Sequence, residues 1–98
     1  MSWADRIIEQ LKKGAVTFHP SGHSMEPRIM DGQMVTVAPV SESDIKLGDV
    51  VLCKVGGRVL LHLVVAVIAP GGKKRFQIGN NKGRINGWAT KIYGKLVS

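Results

Sequence analysis

Two apolar runs, Asp49–Val55 and Arg58–Ile68, stand on either side of Gly56–Gly57, and this hairpin constrains the fold more than any other stretch of the chain. Paired glycines supply the positive φ angles of a two-residue turn, and the β-branched residues around them suit a pleated surface. The same pattern continues outward. Ala15–Phe18 and Met34–Val37 read as short strands, with Met30–Asp31–Gly32 as the turn before the second. Ser41–Gly48 reads as a polar connection. Pro70–Gly71–Gly72 breaks the long strand, Arg75–Gly79 starts the next, Asn80 to Gly87 reads as loop, and Ala89–Val97 closes the sheet. Twelve glycines and four prolines in 98 residues favour numerous turns between short strands over a few long helices.

The N-terminus differs. Trp3, Ile7, Ile8 and Leu11 recur at helical spacing and form one apolar stripe. Ser2 is placed to cap this helix, Asp5 suits its first turn, Lys12 and Lys13 its last, and Gly14 is a natural stop. A helix of about three turns is not stable alone, so its stripe must pack on its own domain or on a second copy. The expected division is an amphipathic helix over residues 1–14 and a β domain over 15–98. Ninety-eight residues make one hydrophobic core, and with 5% aromatic residues that core must be aliphatic.

Charge and cysteine content narrow the partners. Fourteen basic residues against seven acidic give a net charge of +7, which suits nucleic acid, a phospholipid surface or an acidic protein. The lack of arginine–aromatic interleaving disfavours nucleic acid. The single Cys53 excludes an internal disulfide and reads as a buried, inert thiol. The longest apolar stretch, Val59 to Ala69, has eleven residues, whereas a bilayer span needs about 20. No signal peptide is visible, so the expectation is a soluble, cytoplasmic chain without a transmembrane segment. Metal-ligand spacings, phosphate loops and dinucleotide fingerprints are missing, and no cofactor is expected.

The chemistry concentrates in His19–Pro20–Ser21–Gly22–His23–Ser24–Met25–Glu26–Pro27. A nucleophilic serine needs an exposed hydroxyl beside amide donors able to hold an oxyanion, and Gly22 supplies backbone freedom just before Ser24. It also needs a base, for which the chain offers His19, His23 and His62. His62 lies inside the apolar run Val59–Val65, where an unpaired polar group would cost about 1–3 kcal/mol. It is either a core histidine bonded to a carbonyl or a partly desolvated general base. His23 directly precedes Ser24 and should point away from it, and His19 reads as a loop residue. Asp31 and Asp49 read as turn residues, Met25 as a cleft or core residue, and Lys73–Lys74–Arg75 as a solvated hairpin tip.

Five ordered segments carry a resemblance. Ser21–Pro27 looks like the nucleophile box of signal peptidases. Ile29–Gly32 with Met34–Val37 resembles the segment after the nucleophile in LexA-type repressors. Leu47–Val51 matches a strand start found in both branches. Arg58–His62 falls where the family places its base, 38 residues after Ser24. Ile78–Asn81 with Ile92–Val97 is similar to the final box and closing strand. From about Phe18 to the C-terminus the chain thus resembles the LexA/signal-peptidase serine peptidases. The resemblance implies a mostly β, antiparallel fold behind a short N-terminal helix. It also implies Ser24 as nucleophile and His62 as base, as in histidine-type signal peptidases. Gly22, Met25, Pro27 and Asn80 are the residues implied for the oxyanion or the substrate.

Two positions depart from the family. Leu63 stands where a basic residue usually follows the base, and Asn80 stands where an aspartate usually follows the last box's glycine. The orienting partner of His62 is then expected to be a carbonyl, Asn80, Asp31 or Asp49. The leading functional expectation is a soluble Ser–His endopeptidase or self-processing peptidase that binds extended peptide as an added strand. Only 17 residues precede Phe18, too few for a repressor's DNA-binding domain, so the chain resembles the peptidase core alone, of a kind expected from a phage or mobile element. The alternatives are a non-catalytic module that dimerises or binds a partner, and a basic β domain that binds nucleic acid.

Overall fold

The computed structural model describes residues 2–98. One helix, α1 (Trp3–Leu11), precedes seven strands: β1 (Val16–Phe18), β2 (Val35–Ala38), β3 (Val50–Val55), β4 (Arg58–Ile68), β5 (Arg75–Gly79), β6 (Ile85–Trp88) and β7 (Lys91–Leu96). They form a single sheet in the order β1-β2-β7-β3-β4-β5-β6, antiparallel at every pairing. The mostly β architecture behind a short helix is therefore as the sequence reads.

The β3–β4 hairpin forms for the reason its glycines suggest. Gly56 and Gly57 take φ of 55° and 82°, the two positive values of a twist-matched turn, and Val55 pairs with Arg58 directly across it. Strand β3 lies at the centre, between β4 and β7. Its side chains alternate between two cores: Val50 and Leu52 face one, Val51, Cys53 and Val55 the other. A strand covered on both faces reads as an unbroken apolar run, which is what Val50–Cys53 is. The first core takes in α1, β1, β2 and the Met25–Ile29 turn; the second is built with Ile45, Val64, Phe76 and Ile78. Phe76 is the one aromatic side chain buried in either.

Strand β4 is long enough to serve two neighbours in succession. Arg58 to Leu63 pairs with β3, and Leu63 to Ile68 pairs with β5, with a register shift between Val64 and Ala66. The edge of Arg58–His62 that faces away from β3 has no strand partner among the described residues.

Three local readings are corrected. The stretch 80–87 is not all loop: Ile85–Trp88 is a strand, because Gly87, at φ 138°, lets β6 pass close to β3, with Val55 Cγ1 only 3.1 Å from where a Cβ would stand. The connection 41–48 is not wholly polar, since Ile45 is buried in the second core. The helix ends at Leu11 with Lys12 as its cap, and its buried residues are Ala4, Ile7 and Leu11. Trp3 stays 53% exposed and leans on Phe18, ring centroids 6.1 Å apart, because it belongs to the wall of a cleft and not to the core. The expected cap is present in full: Ser2 Oγ accepts from Asp5 N–H, and the Asp5 carboxylate accepts from Ser2 N–H.

Candidate active site

The segment between β1 and β2 is held by its own short hydrogen bonds. The Gly32 amide donates to Pro20 O at 2.9 Å, and His19 Nδ1 bonds Gly32 O at 3.0 Å. Gly22, at φ 110°, donates its N–H to Asp31 Oδ1 at 2.7 Å. Met25 and Ile29, both nearly fully buried, anchor the turn in the first core. From the other side Asn81 donates its amide to Ser24 O at 3.0 Å and its side-chain NH₂ to Glu26 O at 3.1 Å. Ser24 is thereby fixed between a buried methionine and a glycine bend, with its hydroxyl half-exposed.

That hydroxyl meets His62, which β4 presents beside its unpaired edge. Ser24 Oγ stands 2.9 Å from His62 Nε2. On the far side of the ring, His62 Nδ1 lies 2.8 Å from Asn86 Oδ1 on β6. An amide oxygen only accepts, so Nδ1 carries the proton, Nε2 is left as the acceptor, and the Ser24 hydroxyl donates to it. Burial pushes the His62 pKa below the ordinary 6.5, and the charge of Arg58 adds to that, against an opposing effect of the Asn86 hydrogen bond. At neutral pH the ring is therefore the neutral form that can take a proton.

The partner of His62 is thus neither a carbonyl nor any residue expected from the sequence. Asp31 is engaged by Gly22. Asp49 accepts from Lys46 N–H at 2.8 Å and pairs with Lys95 Nζ at 3.3 Å. Asn80 spends its side-chain oxygen on the amides of Lys82 and Arg84, at 2.9 and 3.0 Å, closing its own loop. Asn86 gives little sign of itself in the sequence, because Asn-Gly is a strong turn dipeptide and both residues are poor strand formers.

The three side chains open into a cleft of about 760 Å³. Gly22, Met25 and Asn80 line it, while Pro27 is exposed and lies outside it. Trp3, Ile7, Phe18, Ile29 and Val59 give it one apolar wall, and Arg58 and Arg84 give it positive charge. His23 turns away to Glu26 at 2.7 Å; this contact raises the His23 pKa and lowers that of Glu26. Cys53 is fully buried, and burial pushes its thiol up to about 12. Among the described residues no cluster of His, Cys, Asp or Glu is arranged to hold a metal ion.

The fold is a mostly β domain in which Ser24, His62 and Asn86 share one open cleft. The sequence model of the Peptidase S24-like family matches residues 2–86, and the chain belongs to that family, within the LexA/signal-peptidase superfamily. The matched range includes Ser24, His62 and Asn86. Comparison with curated proteins and with solved structures returns no match. No helix of the described residues is long and apolar enough to cross a membrane.

Proposed function

We propose that this domain is a serine endopeptidase or self-processing peptidase in which Ser24 is the nucleophile, His62 the general base and Asn86 the residue that positions the base. The observation that carries this reading is the continuous chain Ser24 Oγ–His62 Nε2, His62 Nδ1–Asn86 Oδ1, at 2.9 and 2.8 Å, at the floor of an open cleft. A core histidine would be sealed and bonded to a carbonyl. This one is half-exposed, and its free nitrogen faces a serine.

Substrate would enter as an extended segment along the unpaired Arg58–His62 edge of β4, exchanging main-chain hydrogen bonds with it. Ser24 Oγ attacks the scissile carbonyl as its proton passes to His62 Nε2. The oxyanion is held by the Ser24 N–H, since the Gly22 N–H is committed to Asp31. His62 then protonates the leaving amine, and water, deprotonated by the same ring, releases the acyl chain. Asn86 keeps Nδ1 protonated throughout, so Nε2 is always the basic nitrogen.

A fluorophosphonate probe followed by intact-mass measurement tests this reading. One adduct on Ser24, absent in Ser24→Ala and slowed about 10²–10⁴-fold in His62→Ala, is the expected outcome. No adduct on folded protein would leave a peptide-binding module that uses the same strand edge. Tight, steeply salt-dependent binding of DNA by such inert protein would favour the nucleic-acid alternative.

A further inference from the structure

Three of the five arginine side chains have no hydrogen bond, ion pair or aromatic partner among the described residues, and two of these line the cleft. Arg28 donates to Gly48 O, and Arg75 lies 5.1 Å over the Trp88 ring. Arg6 is on the exposed side of α1. Arg58 and Arg84 are exposed cleft residues, and none of the ion pairs of the described residues involves them. No Asp or Glu lines the cleft. The cleft therefore holds two free guanidinium groups, an apolar wall and no carboxylate of its own.

The strand geometry puts these charges beside the reacting groups. Arg58, Leu60 and His62 alternate onto one face of β4, and Arg84 precedes Asn86 by two residues at the entry to β6. Two positions along a strand span roughly 7 Å, so a substrate strand through Ser24 carries its neighbouring side chains to this distance. A guanidinium presents a planar fork of donors that fits a carboxylate oxygen pair, and it does so best where water is partly excluded.

We infer that the cleft selects peptides bearing a carboxylate within about three residues of the scissile bond, held by Arg58 and Arg84. The inference rests on the peptidase reading for the word scissile, but not for the binding itself. The carboxylate is either an acidic side chain or the C-terminus of a peptide, since both offer the same oxygen pair.

The test uses binding to folded Ser24→Ala protein, which separates it from turnover. Three rhodamine-labelled hexapeptide pools serve as probes: one with a fixed Asp and an amidated end, one with Asn there and an amidated end, and one with Asn and a free C-terminus. Fluorescence anisotropy should show one or both carboxylate pools binding about tenfold tighter than the neutral pool, the effect of a single charge-assisted pair. Arg58→Gln/Arg84→Gln should bring the ratio to about one, and the charge-matched Lys13→Gln/Lys73→Gln control should keep it. Equal binding of all pools overturns the inference, as does a preference that survives in the double arginine variant or disappears in the lysine control. A Ser24 that takes no fluorophosphonate while the carboxylate preference holds would remove the peptidase reading and leave this one standing.

Discussion

At the scale of single residues the unusual feature is the neutral partner of His62, the proposed base. A serine-triad aspartate both fixes the histidine tautomer and stabilises the imidazolium that forms as the proton arrives. Asn86 does the first through its amide oxygen and only weakly does the second. Because the tautomer is already correct, Asn86→Asp should act purely by charge. The carboxylate would raise the His62 pKa and increase kcat by about tenfold, while Asn86→Ala should lower kcat by a similar factor or more with little change in KM. The pH profile distinguishes this from a structural effect. In the proposed mechanism His62 acts when neutral, and its pKa is depressed, so kcat/KM should be flat from pH 8 down past 6.5 and fall only at lower pH. In Asn86→Asp that fall should begin at a higher pH. An unmoved acid limb would mean that the substituted carboxylate does not reach the ring.

At the scale of elements, the site depends on where strands stop pairing. β4 gives up β3 and takes up β5 near Leu63, which leaves the Arg58–His62 edge open beside the Ser24–His62 hydrogen bond. β6 is short, yet it delivers Asn86. α1 contributes Ile7 and Leu11 to the first core and Trp3 to the cleft wall, so one helix serves both stability and the shape of the cleft. β7 crosses close against β2. A Cβ on Gly94 would stand 2.7 Å from Ala38 O and 2.7 Å from Val37 Cγ1, and neither the strand backbone nor a buried valine can withdraw cheaply. Gly94→Ala should cost about 2–3 kcal/mol, read as a fall in the urea midpoint at constant m. A midpoint unchanged from wild type would mean that the β2–β7 pairing is slack.

At the scale of the whole molecule, β3 joins two cores that neither face could sustain alone, so the domain should unfold as one unit. Cys53 offers a reporter on the β3 face of the second core. Its thiol is fully buried and its pKa is pushed up to about 12, so it should resist aromatic disulfide reagents in native buffer. Its labelling rate in increasing urea should follow the same free energy as the far-ultraviolet circular dichroism signal. Fast labelling in native buffer would show that β3 opens locally, and the two cores would then be separable.

The limits of sequence reading follow the same scales. The β3–β4 hairpin was legible because Gly56–Gly57 and the β-branched runs impose a local geometry that survives in any context. Ser24 and His62 stood out as candidates because a serine box between prolines and a polar group in an apolar strand are each anomalous at their own position, and the family resemblance chose between a core histidine and a base for His62. The Ser2 cap of α1 was legible for the same local reason, although the reciprocal bond from Ser2 N–H to the Asp5 carboxylate was not read. Asn86 was not, because its own neighbourhood spells a turn. Only the close approach of Gly87 to Val55 and the pairing with β5 make that stretch a strand. Nor could the sequence choose among Asn80, Asp31 and Asp49, since each is consumed by a different loop amide that only the folded chain brings within reach. Local chemistry decided which residues could react. The tertiary structure decided which groups they meet, because hydrogen bonds of 2.8 to 2.9 Å between residues 24 and 38 positions apart depend on the register of every strand between them.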